Sequence, residues 1–293
     1  MTQGIDFIKV APGQSPYFCD WYACLVEATP DNIMEGLDEP LRLSEFKPVP
    51  GIPQYDQSVG LWSHRYRDRP VFELSYGGNQ GAAPHLVAKG YIAHDAHAVL
   101  RRVFPSHRVS RMDVACDMVG EGLYEQISGV LLDMHRFEGL KTRTINHDVP
   151  EMGRTHYLGS RESVAMVRLY EKGKQERNQG QPFIEHHVRL ELEVKPQKRP
   201  DKARWANVSL DDAWGAARWT KRLAEKVLSL DVQRIRRHPP MKRTDEETLQ
   251  SVLQQHSRLI RRVGEDRVLQ LLHRMFSEGA TGVDQDVRDH ALN

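Results

Sequence analysis

Three cysteines, Cys19, Cys24 and Cys116, are too few and too scattered to form a disulfide framework, and none has the CxxC spacing of a zinc site. They read as buried thiols that pack like small hydrophobes. No apolar run approaches the roughly 18 residues a membrane helix needs, so no membrane partner is expected. The opening MTQGIDFIKVAPGQ lacks the basic start and apolar stretch of a secretory signal, which makes a cytoplasmic location the expectation. Gly77–Pro84, GGNQGAAP, is glycine-rich but lacks the GK[ST] of a phosphate loop and does not fit GxGxxG, so it reads as a connecting loop. There is no His-hydrophobic-His motif: His186 and His187 are adjacent and would point to opposite faces of a strand. His94 and His97, three apart with no partner carboxylate near, read as surface histidines. Internal repeats and low-complexity segments are absent.

The sequence does contain the means for a large core. With 293 residues, 39% hydrophobic and 28% charged, it suits a globular protein of one large domain, or of a catalytic domain with a smaller one. A net charge of +1 conceals an asymmetry. Residues 1–60 hold three Lys and Arg against nine Asp and Glu, whereas residues 195–243 hold fourteen against five. The basic block is either a solvated face or a surface that tracks phosphates.

Taken in order, Asp20–Glu27 reads as a strand, and the acidic, proline-punctuated residues 29–58 as a short helix near Asp31–Gly36 followed by loop. Strands at about Trp62–Tyr66 and Val71–Tyr76 follow, with RDRP as the turn between them. Ala93–Phe104 has helical spacing. Val109–Val119 alternates cleanly: Met112, Val114, Cys116 and Met118 make an apolar face, and Arg111, Asp113, Ala115 and Asp117 the other. Leu123–Arg136 reads as an amphipathic helix, and Lys141–Thr144 as the start of a strand. Thr155–Lys172 reads as two strands around a Gly-Ser turn, the second setting Met166, Arg168, Tyr170 and Lys172 on one face. A polar loop, Gly173–Pro182, separates it from His186–Lys195, where Val188, Leu190, Leu192 and Val194 oppose Arg189, Glu191, Glu193 and Lys195.

The fold class expected from this order is α+β: a mainly antiparallel central sheet with helices packed on one face, plus a smaller C-terminal helical region. The expected domains are a catalytic one over 1–195, a basic linker and DNA-binding helix over 196–243, and a C-terminal helical region over 244–293. Lys195–Arg204 is the expected boundary. Capping boxes at Ser209/Asp212 and Thr244/Glu247 would open helices over Ser209–Leu230 and as far as Val263, with a last helix at Glu265–Phe276. Arg236–Arg243 reads as a proline-marked break and the final residues as a frayed tail.

If the apolar faces of the central strands share one helical layer, then Asp113, Asp117, Glu191, Glu193, Arg168, Tyr170 and Lys172 share the opposite surface. Carboxylate oxygens suit Mg²⁺ or Mn²⁺, which can neutralise a phosphate undergoing displacement. A tyrosine between cations could ionise and attack that phosphate. A strand tyrosine is usually structural, and a charged strand face is usually solvated. The residues alone leave the active site and the solvated face both open.

These residues resemble a known family. RMDVACD, THYLGSRESVAMVRLYEKGKQ and HVRLELEVK, within about Gly77–Lys195, are similar to the core of the replication initiation factor family, the Rep-trans rolling-circle initiators of plasmids and filamentous phages. The resemblance implies a metal-dependent nickase-ligase that cuts one strand at a double-stranded origin, stays joined to the 5′ end through tyrosine, and leaves a 3′-OH primer. By position, it makes Tyr170 the nucleophile with Arg168 and Lys172 beside it, and Tyr157 the rival. It makes Asp113, Glu191, Glu193 and, less directly, Asp117 the ligands for Mg²⁺ or Mn²⁺. Arg111, Arg161, Arg189, Lys195, Lys198, Arg199, Lys202 and Arg204 are the expected DNA contacts. Implied partners are origin DNA, double- and single-stranded, a host helicase, and a second copy in a homodimer. The alternatives are a relaxase of a mobile element, a non-catalytic DNA-binding regulator, and a metal-dependent nuclease that uses water.

Overall fold

The computed structural model describes residues 6–8, 15–78, 83–146, 149–236 and 244–279. The chain divides into two compact units, Met1–His238 and Pro239–Asn293. In the first, β1 (Asp6–Ile8) and β2 (Tyr17–Leu25) precede α1 (Pro30–Leu41), followed by β3 (Leu43–Pro48), β4 (Gln57–Ser63), β5 (Phe72–Tyr76) and β6 (His85–Lys89). Next come α2 (Ala93–Val103), β7 (Arg108–Val119), α3 (Leu123–Glu138), β8 (Thr142–Asn146), β9 (Arg154–Gly159), β10 (Ala165–Tyr170), α4 (Lys172–Asn178) and β11 (His187–Val194). The unit closes with α5 (Arg199–Trp205) and α6 (Arg218–Leu223).

Among the described residues eleven strands form one antiparallel sheet in the order β3-β4-β5-β6-β2-β7-β11-β10-β9-β8, with β1 also on β7. The α+β architecture is therefore the expected one. Its centre is β7 against β11, whose register sets Met112 opposite Val194, Val114 opposite Leu192 and Cys116 opposite Leu190, all fully buried. This apolar face carries α2 and α5, whereas Lys172, Gln175 and Glu176 of α4 line a cleft with Tyr170 on the other face. Arg101 of α2 reaches Met112 Sδ and donates to the carbonyl oxygens of Trp205 and Val208, tying α2 and the end of α5 to the same side of β7. All three cysteines are buried and free, as expected.

Several expectations need correction. The proline-rich segment after β2 holds a three-turn helix and a strand. Thr29 caps α1 by accepting from the Asn32 amide, Pro30 takes the first turn, where no amide donor is needed, and Ile33, Leu37 and Leu41 recur at intervals of four to bury one face. Strand β6 was not foreseen. His97 is not a surface histidine: it is buried, and its ring pKa falls to about 4, mainly through burial. β10 ends at Tyr170, so Lys172 is not a strand residue; it opens α4 within the supposed polar loop.

The chain does not break at Lys195. Residues 196–236 belong to the first unit, where Trp205, Trp214, Leu223 and Val227 lie in its core. Ser209–Leu230 is no single helix: a 3₁₀ turn at Asp212–Ala216 precedes α6, and a π turn at Ala224–Leu228 follows it. Ser209 Oγ does accept from the Asp212 amide at 3.0 Å. The second unit holds α7 (Asp245–Gln255), α8 (Ser257–Val263) and α9 (Glu265–Gly279), with Gly264 at φ 88° turning the chain between α8 and α9. Most of the Arg236–Arg243 break and the expected frayed tail beyond 279 lie outside the described residues.

Candidate active site on the polar face of the sheet

Alternation places the polar side chains of β7, β11, β10 and β9 on the other face of the sheet, where Asp113, Asp117, Glu191 and Glu193 are nonetheless buried, and the registers say which residues meet there. Glu193 stands opposite Asp113 on one side and Met166 on the other. One row along, Ala115, Glu191, Arg168 and Tyr157 stand in line across four strands. In the next row, Asp117, Arg189, Tyr170 and Thr155 do the same. Asp113, Asp117, Glu191, Glu193, Arg168 and Tyr170 therefore share this face as alternation implied, Tyr157 joins them, and Lys172 comes beside Tyr170 from α4 instead.

The charges sort into two clusters. In the first, Arg111 holds Asp113 through Nε at 2.8 Å and Nη2 at 2.5 Å, and reaches Glu193 at 2.9 Å. Arg168 pairs with Glu191 and stands 3.5 Å from Asp113, while Lys195 holds Glu193 at 2.6 Å. Burial pushes the Asp113 carboxyl well above the usual range; Arg111 opposes the shift and the Glu191 carboxyl adds to it. In the second cluster, Arg189 clasps Asp117 at 2.6 and 2.8 Å and reaches Asp20 at 3.1 Å, its guanidinium lying over the Phe18 ring. Burial would raise Asp117, but the Arg189 hydrogen bonds, with the His187 ring 3.2 Å away, outweigh it and hold the pKa at about 2.

A divalent cation is implied by the resemblance, and the first cluster tests the fit. Asp113, Glu191 and Glu193 offer hard oxygen donors from two paired strands, and the crowding of carboxyls around Asp113 is a feature that such an ion relieves. By donor type the residues fit. The arrangement present is neutralised by Arg111, Arg168 and Lys195; among the described residues no group of three His, Cys, Asp or Glu stands in metal-holding geometry. Asp117 stands apart, both of its oxygens engaged by Arg189.

Tyr170 lines a cleft of about 820 Å³ with Phe18, Asp20, Asp117, Lys172 and Arg189. Arg168 favours ionisation of Tyr170, the expected direction, but other effects outweigh it. Burial dominates and pushes the phenol upward, Arg189 is the chief opposing cation, and Glu191 and Asp20 add to the rise. Burial therefore favours the neutral phenol. Asp20 is the residue that sequence reasoning missed. A register shift in β2 between Cys19 and Trp21 leaves Asp20 as the extra residue of a bulge, re-aimed into the cleft beside Arg189. Burial raises its pKa, suiting it to take up a proton. No sequence signal marks a bulge in DWYACLVE. Tyr157, in contrast, lies under the Arg143 guanidinium at 4.8 Å and opposite Arg168.

The expected DNA contacts are spread out. Arg111 and Arg189 lie inside the carboxylate clusters, Lys195 is paired at the end of β11, and Arg161 is exposed in the β9–β10 turn. Lys198 precedes α5, while Arg199 reaches Glu27 at 2.7 Å and Arg204 the Arg236 carbonyl. Burial lowers the pKa of Lys202, and Arg108 adds to the effect.

Residues 107–204, about a third of the chain, match the family model described as replication initiation factor. The rolling circle replication initiator protein of Geobacillus stearothermophilus shares the fold, with a TM-score of 0.50 and 19% identity over 80% of this chain and 100% of that one. No curated protein matches the sequence.

Proposed function

We propose that the chain initiates rolling-circle DNA replication by nicking one strand of an origin through Tyr170. The observation that carries this reading is the row structure of one sheet face, where adjacent strands within the family-matched segment set carboxylates, arginines and a cleft-lining tyrosine side by side. In the proposed step the Tyr170 phenol oxygen bonds to phosphorus, the P–O3′ bond breaks, the phenol proton passes to Asp20, and the departing O3′ takes a proton from solvent. The products are a 5′-phosphotyrosine and a free 3′-OH, and reversal rejoins the strand. Arg189 orients Asp20, while Lys172 and Arg168 hold the phosphate's charge. Asp113, Glu191 and Glu193 would hold a divalent ion, Mg²⁺ or Mn²⁺, which when bound supplies charge neutralisation at the phosphate.

Origin DNA is the partner this chemistry requires, and the exposed cations around α5 would contact its backbone. No described helix is long and apolar enough to cross a membrane, and a cytoplasmic site of action goes with this reading. A host helicase and a second copy of the chain would join at later stages.

The test is incubation with supercoiled DNA of the encoding replicon and Mg²⁺ or Mn²⁺. The proposal expects a nicked circle with protein on its 5′ end, no adduct from Tyr170→Phe, and no nicking with a chelator. Nicking that persists in Tyr170→Phe without an adduct would indicate a water-using nuclease instead.

A further inference from the structure

The loop after β4 runs His64-Arg-Tyr-Arg-Asp-Arg69, cations interleaved with an aromatic, and the nicking chemistry leaves it without a task. Its Tyr66 and the Tyr91 beyond β6 form the wall of the same cleft that Tyr170 lines, yet both lie outside residues 107–204. We propose that Tyr66 and Tyr91 form a stacking platform for an unpaired base of single-stranded DNA next to the phosphate held at Tyr170. This deepens the function proposed above and rests on it for the identity of the strand, though not for the platform's chemistry.

The rings are fixed where a base could use them. Tyr91 is 56% exposed, a large fraction for an aromatic ring held by several partners. Its hydroxyl donates to Asp68 Oδ1 at 2.5 Å, the Arg69 guanidinium lies 5.3 Å from its centroid, and Tyr66 meets it edge-on at 5.9 Å. Gly90 has φ 68°, and a Cβ there would come within 3.1 Å of Arg69 Nη1, so glycine lets the guanidinium lie close. Tyr66 is tethered in turn to Asp95 Oδ2 at 2.5 Å. An exposed ring held rigidly loses little entropy when a base stacks on it, and such stacking tolerates any base.

Charge selects the part of the nucleotide that meets the rings. Asp68 is paired with Arg69 at 3.0 Å, while Asp95 beside the Tyr66 hydroxyl disfavours phosphate, which leaves the neutral base as the ligand at the rings. Exposed Arg65 and Arg67 on the same loop provide for the backbone.

The experiment is fluorescence anisotropy of a labelled oligothymidylate, with an abasic oligonucleotide of equal length as control. Tyr91→Ala should bind oligothymidylate about tenfold more weakly than the wild type, Tyr91→Phe within about twofold of it, and the abasic strand should not distinguish the variants. Arg65→Ala with Arg67→Ala should weaken both ligands and flatten the salt dependence. Tyr91→Trp, which retains a stacking ring, should lose more indole emission than the wild type, with its five tryptophans, on adding oligothymidylate. Equal affinity of wild type and Tyr91→Ala, an equal loss on the abasic strand, or indole quenching no greater than the wild type's overturns the platform. Because these assays need neither origin nor metal, a platform that passes while Tyr170→Phe still forms the adduct refutes the nicking assignment alone.

Discussion

Replacing Arg189 with methionine removes the cation on which the second cluster depends. Its guanidinium neutralises Asp117 through two hydrogen bonds and Asp20 through a third, and only 12% of its side chain is exposed. Methionine preserves much of the apolar stem against Phe18 but leaves the buried Asp117 and the half-buried Asp20 without their main partner. Breaking a buried pair from one side costs about 3–5 kcal/mol. At a urea m-value of about 3 kcal/mol/M, the midpoint should fall by roughly 1 to 1.7 M. All five tryptophans lie in the first unit, so their emission reports its unfolding without interference from the second. Adding Asp117→Asn should recover part of the loss, because the stranded charge goes with it.

The pH response should also reverse. In the wild type Asp117 titrates near 2, below its unfolded value. Its contribution, about 2 kcal/mol, is full above pH 4 and is lost as the pH falls toward 2. Without Arg189 the folded pKa rises above the unfolded one, so the variant should gain stability as the pH falls from 7 to 5. A midpoint within 0.3 M of the wild type, or an unchanged pH response, would refute this account of the cluster.

Further expectations concern the chemistry. Asp20→Asn should slow adduct formation by 10²–10⁴-fold and remove the acidic limb of its pH–rate profile while leaving oligonucleotide affinity unchanged; a wild-type profile would exclude Asp20 as the proton acceptor. Glu191→Gln should abolish the Mn²⁺ stimulation of nicking and weaken Mn²⁺ binding measured by calorimetry, whereas Asp117→Asn should leave Mn²⁺ binding intact. Arg161→Ala and Lys198→Ala should each reduce the salt slope of duplex binding by about one unit, without altering which site is cut.

The sheet's two faces were legible in the sequence because alternation depends only on strand geometry. Met112 to Met118 and Val188 to Val194 named the apolar side, and Asp113, Glu191 and Arg168 the polar one, before any register was known. What the sequence concealed depends on contacts between distant segments. Asp20 enters the cleft through a bulge whose partner is Asp113's own strand, and nothing local to DWYACLVE encodes it. Pro40 suggested loop, yet it sits in the last turn of α1, whose buried Ile33–Leu37–Leu41 stripe outweighs it. The basic block read as a linker because its charges hid the spacing of Trp205, Trp214, Leu223 and Val227, which seal the first unit's core. Alternation continues through Lys172 in the sequence, while the chain itself leaves the sheet after Tyr170 and turns into α4.

The central claim is tested most directly by locating the bond to DNA. Digesting the nicked complex with trypsin and nuclease leaves a nucleotide on one of two separable peptides: Leu169–Lys172, which contains Tyr170, or Thr155–Arg161, which contains Tyr157. Mass spectrometry should find the added nucleotide phosphate on Leu169–Lys172. The same mass on Thr155–Arg161, or on neither peptide, would contradict the claim.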